Sequence, residues 1–224
     1  MRTGILIVML LIGPAAEAAG PTRLSAGAAS AVVLEGSSNV TGWRCRGTSI
    51  DASMLVDASA DHINAVIDRV EDGNIGAWMS APERGRFPAP QFQLRIPVAS
   101  FRCGNRIMEG DMRRALRAGA HPRVEFTFRG LRGGIRHDLD SGLYQARIAG
   151  DLSLAGRTRT IDVAVSAERV SRRSFRIRAA LPLQMTDFDV TPPTALFGAI
   201  RARDALTVSF DLMLEIETDR SAIP

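Results

Sequence analysis

An all-β fold, an antiparallel meander that either pairs into a sandwich or closes into a barrel, is what this 224-residue sequence predicts. Three observations predict it. Apolar residues recur at every second position through several long segments, turn-forming residues separate those segments at short intervals, and a helical period is clear in one place. Long strands at short spacing without intervening helices favour a meander over parallel crossover units, and closure would remove exposed sheet edges.

The N-terminus is different in kind. Arg2, the unbroken apolar run Ile5 to Ile12 and the small-x-small site Ala16-Glu17-Ala18 predict a cleavable secretory signal over residues 1–18. The run is about half the roughly 20 residues that a spanning helix needs, and Gly13-Pro14 ends it, so no membrane span is expected. The first cysteine is Cys45, too far along for a lipoprotein signal. The product is therefore expected in the periplasm or outside the cell. Residues 19–29 read as a flexible segment, 30–218 as one β domain and 219–224 as a short tail.

Along that domain, Ala31 to Glu35, Trp43 to Ser49 and Ala65 to Glu71 are the first candidate strands. Next, Phe92, Leu94, Ile96 and Val98 alternate with Gln91, Gln93, Arg95 and Pro97, one buried face against one wet face. Asn105 can cap a single amphipathic helix running to about Ala118, with Met108, Met112, Ala115 and Leu116 on one stripe and Gly119 as a stop. The methionine stripe reads as packing. Val124, Phe126 and Phe128 then resume the period of two. Leu143 to Leu154, Thr160 to Val170 and Ser174 to Leu183 follow. The final strand carries Leu206, Val208, Phe210, Leu212, Leu214 and Ile216 on one face, long enough to tilt across a barrel wall. Gly73-Asn74, Gly133-Gly134, Asp140-Ser141-Gly142 and Ala155-Gly156 supply turns. About eight to ten strands result.

The sequence offers little chemistry. All basic residues are arginine, and the net charge of +4 is dispersed, which says as much about coding composition as about partners. The densest stretch, Arg169, Arg172, Arg173, Arg176 and Arg178, could meet an anionic polymer or headgroup as an envelope scaffold, but a solvated outer wall is the simpler reading. Nucleic acid is not expected, because the stacking aromatics alternate onto the buried face. None of the three histidines has a nucleophile or metal-ligand neighbourhood, and His137-Asp138-x-Asp140 reads as a hairpin tip, so no metal, cofactor or catalytic residue is expected. In an oxidising compartment the sole cysteine pair, Cys45 and Cys103, is expected to form a structural disulfide. A thiol-disulfide role is the alternative, although the pair lacks the CxxC spacing.

Several stretches then resemble the YceI-like family of periplasmic, lipocalin-like proteins. They are Gly36-Ser37-Ser38-Asn39-Val40 with Trp43, Ile96-Pro97-Val98 through Cys103-Gly104-Asn105 to His121-Pro122, Gly150 to Gly156 with Thr158-Arg159, and Met185-Thr186-Asp187-Phe188 with Phe197-Gly198. The match runs from about Val33 to Glu217. Asp189 departs from it, standing where a small residue, often Gly, is expected. The resemblance implies an eight-stranded antiparallel barrel with one short helix and an apolar lumen holding an isoprenoid-like chain. On that reading the protein is a non-catalytic carrier for an apolar small molecule or lipid, of unspecified oligomeric state. Phe92, Leu94, Phe126, Phe128, Phe175, Ile177, Phe210 and Leu212 are the expected lumen residues.

Overall fold

The computed structural model describes residues 20–72 and 90–217, and there the alternation builds a closed wall. β1 (Thr22–Ala26) leads through a short break into β2 (Ala31–Ser38), and β3 (Gly42–Gly47) leads likewise into β4 (Asp51–Val56). These form one long hairpin, with Thr22 opposite Val56 at the open end and Ser37 opposite Gly42 at the turn. After α1 (Ala60–Glu71), β5 (Gln91–Pro97) passes a 3-10 turn into β6 (Phe101–Arg102), pairing with β4 and then β3. α2 (Arg106–Ala115) precedes β7 (Arg123–Leu131), β8 (Arg136–Asp138), β9 (Leu143–Leu154), β10 (Arg157–Ser171) and β11 (Ser174–Gln184). The chain ends in β12 (Thr194–Ala195) and β13 (Ile200–Ile216).

Every pairing is antiparallel. β13 pairs with β11 along one side and with β2 and β1 along the other, so eight staves close into a barrel. The turn between β9 and β10 shows how local chemistry sets the register. Ala155 and Gly156 both have positive φ, +50° and +84°, the two-residue geometry whose twist matches that of the flanking strands.

Four details differ from the sequence reading. Thr22–Ala26, expected within a flexible segment, is β1. Its Leu24 is 4% exposed and lies between Met54 and Ile216, so this short run completes the barrel seam. Asp51–Val56, not expected as a strand, is β4. Ala65 to Glu71, expected as a strand, is the second half of α1, so the described residues hold two helices rather than the one expected. Ile63, Val66, Ile67 and Val70 follow helical spacing, and the Ser59 hydroxyl accepts from the His62 N–H at 3.1 Å to cap the start. α2 is capped by Asn105 as expected but stops at Ala115. There Arg117, at φ +51°, takes the left-handed position, and the Ala118 N–H donates to the Arg113 carbonyl at 2.9 Å, ahead of the expected Gly119 stop. The expected signal over 1–18, the turn at Gly73-Asn74 and the tail 219–224 lie outside the described residues.

Inside the barrel, two glycines make room for rings. A Cβ on Gly150 would come 2.1 Å from Phe126 Cζ, and one on Gly36 would come 2.2 Å from Trp43 Cζ2. Both aromatic side chains therefore lie flat across the inner wall. Asp189 also has positive φ, +54°, which explains why a glycine would suit that position. Its carboxylate accepts from Arg157 and its carbonyl from Arg117 Nη2 at 2.7 Å.

Candidate ligand-binding cavity

The two ends of the barrel are built from opposite chemistry. At the α1 end the inward face of β10 carries Arg169, 16% exposed, where the preceding inward residues are Val163, Val165 and Ala167. Arg169 Nη1 donates to Asp68 Oδ1 at 2.5 Å and Nη2 to the Glu71 carboxylate, both on α1. That hydrogen bond, with the charge behind it, holds the Asp68 carboxyl below the usual carboxylate range. Tyr144 Oη donates to Glu71 Oε1 at 3.3 Å, and burial together with the Glu71 charge pushes the phenol up to about 12. Asn64, 4% exposed, donates to the Arg172 carbonyl at 3.0 Å. This polar cluster fastens α1 across its end of the barrel.

At the α2 end the interior is apolar and open. A cavity of about 440 Å³ lies beneath α2. Its wall takes Trp43 and Cys45 from β3, Phe101 from β6, Leu181 and Leu183 from β11, and Leu206 and Val208 from β13. Met108, Met112 and Ala115 of α2, with Leu116 just past its end, form its roof. Polar side chains touching it, among them Ser38, Thr41, Asn105, Asp111 and Thr194, stand at strand ends and on α2. The volume falls within the range of about 300–1,000 Å³ typical of small-molecule sites, which are mostly apolar with a few placed polar groups.

The sequence-derived lumen residues divide between these halves. Leu94, Phe126 and Leu212 are buried in one hydrophobic core, and Phe92, Phe128, Phe175, Ile177 and Phe210 pack against it. Of the eight, Phe210 lines the cavity under α2. The other seven belong to the core cluster but not to this wall. The residues that sequence reasoning missed are the roof and the upper wall. The methionine stripe, read as packing, faces the cavity, and Trp43 and Cys45 alternate inward on β3 as any period-two strand requires.

Cys45 and Cys103 are joined, with an S–S bond of 2.05 Å. Cys45 is 1% exposed, so the bond ties the barrel wall to the approach of α2 from within. The arginine-rich stretch on β10 and β11 is largely neutralised. Arg176 chelates Asp211 through Nε and Nη2 at 2.6 Å each, Arg178 donates to Glu168 at 2.9 Å, and Arg172 lies 3.3 Å from Asp68. His137 stacks on Tyr144 at 4.4 Å, and Asp138 accepts from the Asp140 and Ser141 amides, so that hairpin tip is occupied by its own turn. Among the described residues no helix is long and apolar enough to cross a membrane.

A closed eight-stranded antiparallel barrel with an apolar cavity under a short helix defines a lipocalin-like architecture. The chain belongs to the YceI-like family: the model of the YceI-like domain matches residues 35–214, well over half of it. Among solved structures it is similar to BcnA of Burkholderia cenocepacia, at TM-score 0.58 and 16% identity, covering 84% of this chain and 98% of that one. It is also similar to a polyisoprenoid binding domain from Saccharophagus degradans implicated in plant cell wall breakdown, at TM-score 0.57 and 15% identity, covering 87% and 98%. No curated protein sequence matches the chain.

Proposed function

We propose that this protein is a non-catalytic carrier, exported to the periplasm, that holds an isoprenoid-like or other long-chain apolar molecule inside its barrel. The observation that carries the reading is the apolar cavity of about 440 Å³ between the β-wall and the methionine roof of α2. A chain of about ten methylenes buried there gains on the order of 8 kcal/mol, before the costs of ordering it, so few polar contacts are required. Polar side chains at the strand ends suit a ligand whose head stays near water while its tail enters. The similarity to a polyisoprenoid binding domain is in keeping with such a tail. On this reading Phe210, which borders the cavity, touches the tail, and the remaining seven meet a tail that reaches past this wall toward the α1 end.

The other roles have less support. A redox carrier needs an approachable sulfur, and Cys45 is buried while Cys103 is only partly exposed. A scaffold using the arginines of β10 and β11 would have to compete with Asp211, Glu168 and Asp68. The test is solvent extraction of protein purified without detergent, followed by mass spectrometry of the extract. A stoichiometric apolar molecule is expected; protein that is repeatedly empty and fails to take up an added isoprenoid alcohol would refute the reading.

A further inference from the structure

The rim around the cavity bears apolar side chains turned outward. Val40, at the β2–β3 turn, is 67% exposed; Ile107, in the first turn of α2, is 72% exposed; and Leu196, in the loop before β13, is 68% exposed. Phe197, next to it, is exposed over its whole surface. Hydrogen bonds hold the two loops together: Asn39 Nδ2 donates to the Ala199 carbonyl at 2.9 Å, and the Arg201 N–H donates to Asn39 Oδ1 at 2.8 Å. Ile107, Leu196 and Thr41 all border the cavity, so these tips surround its opening.

Phe197 is also held in an unusual backbone. Leu196, Phe197 and Gly198 have successive φ values of +49°, +53° and +89°, a left-handed run that side chains other than glycine rarely adopt. Strain of this kind persists where surrounding structure enforces it, and it concentrates at functional loops. Here its result is a phenyl ring presented to solvent.

Charge surrounds the tips. Arg106 and Arg114 lie exposed on the side of α2 away from its methionine roof, and Arg201 and Arg203 are exposed at the start of β13. The acidic residues of α2 are engaged: Glu109 accepts from the Cys103 N–H at 3.1 Å, and the Asp111 side chain, 20% exposed, pairs with Arg114, which leaves Arg106, Arg201 and Arg203 as the arginines offered to a headgroup.

From this arrangement we infer that the α2 end of the barrel docks on an anionic phospholipid bilayer. Phe197, with Val40, Leu196 and Ile107, enters the boundary between headgroups and acyl chains, and the arginines meet lipid phosphates. Apolar tips within a basic rim are the chemistry of interfacial binding, in which buried apolar area and attraction to anionic lipid add. Docking in this pose would set the cavity opening against the acyl region. The surface goes beyond the carrier reading and does not depend on what the cavity holds.

The test is flotation of the mature protein with vesicles of phosphatidylglycerol and phosphatidylethanolamine, against vesicles of phosphatidylcholine. The protein is expected to float with the anionic vesicles, and less so as salt is raised. The double variant Val40→Ser/Phe197→Ser, at two exposed positions outside the cavity wall, is expected to lose vesicle affinity by about tenfold or more, the order set by withdrawing a phenyl ring from an apolar phase. Arg106→Gln/Arg203→Gln is expected to erase the preference for anionic lipid. No flotation at low salt, or equal flotation of the serine variant, would overturn the inference. So would sedimentation showing a dimer that the serine variant dissociates, because a second copy would then cover the tips. Native mass spectrometry of the same samples reads the cavity separately. A bound apolar molecule retained in the serine variant supports rim-only docking, and vesicle binding by a protein whose cavity is always empty would support docking while removing the carrier.

Discussion

Replacing Cys45 and Cys103 together by alanine tests how the barrel keeps α2 in place. The cysteines are 58 residues apart, so their bond removes from the unfolded chain the freedom of a loop of that length. The loop-closure relation gives about 14 cal/mol/K, or about 4 kcal/mol at 25 °C. For a domain of this size each kcal/mol moves the melting midpoint by about 2–4 °C, so the variant should melt roughly 8–16 °C below the wild type. Alanine at position 45 avoids placing a hydroxyl in a site that is 1% exposed. The assay is thermal melting followed by near-ultraviolet circular dichroism, with wild type under strong reductant as a second sample. Both should fall to a common midpoint. A shift of less than about 2 °C in either would refute the loop-entropy argument, because the unfolded chain would then gain little freedom when the bond is cut.

Other expectations follow from particular contacts. Gly150→Ala should cost about 1–3 kcal/mol in denaturant unfolding, since its Cβ would meet Phe126 Cζ at 2.1 Å and the Thr127 carbonyl oxygen at 2.8 Å; an unchanged midpoint would mean that the ring does not lie there. The chain has one tyrosine, so ultraviolet titration of tyrosinate should report Tyr144 alone, near 12, and Glu71→Gln should bring it down while leaving the part due to burial. An ordinary value near 10 in the wild type would contradict both the burial of the phenol and its contact with Glu71. Asp68 has a folded pKa below its usual 3.8, so its pairing with Arg169 stabilises the protein above that value and is lost as pH falls through the lower folded one. Amide protection in α1, taken relative to the intrinsic exchange rate at each pH, should therefore stay constant down to about pH 4 and fall below it; loosening that begins near pH 6 would assign the event to another group.

The barrel was legible because a half-buried wall writes its burial into every second residue. Phe92 to Ile96, Val124 to Phe128 and Leu206 to Ile216 show this and lie in β5, β7 and β13, while Val98, expected to end its strand, opens the 3-10 turn. β1 escaped because five residues carry too little alternation, and its place is set by distant partners, Ile216 and Met54. The strand expected at Ala65 to Glu71 failed because Val66, Ile67 and Val70 fit helical spacing once Ser59 is recognised as a cap. The inward set was readable but the hollow was not. Alternation says which side chains point inward, whereas the cavity depends on how α2 spans the end of the barrel and on how Gly36 lets the Trp43 ring lie against the wall. For the same reason the methionine stripe gave no sign that it faced a cavity rather than a filled core.

The central claim is that the space under α2 exists to hold an apolar chain, and filling that space tests it most directly. Ala115→Phe with Leu183→Phe adds two rings to the roof and wall of the cavity of about 440 Å³. Native mass spectrometry should find the wild type carrying one apolar molecule and the filled variant, equally folded and at least as stable, carrying none. A filled variant that retains the same bound molecule, or a wild type that never carries one, would contradict the account.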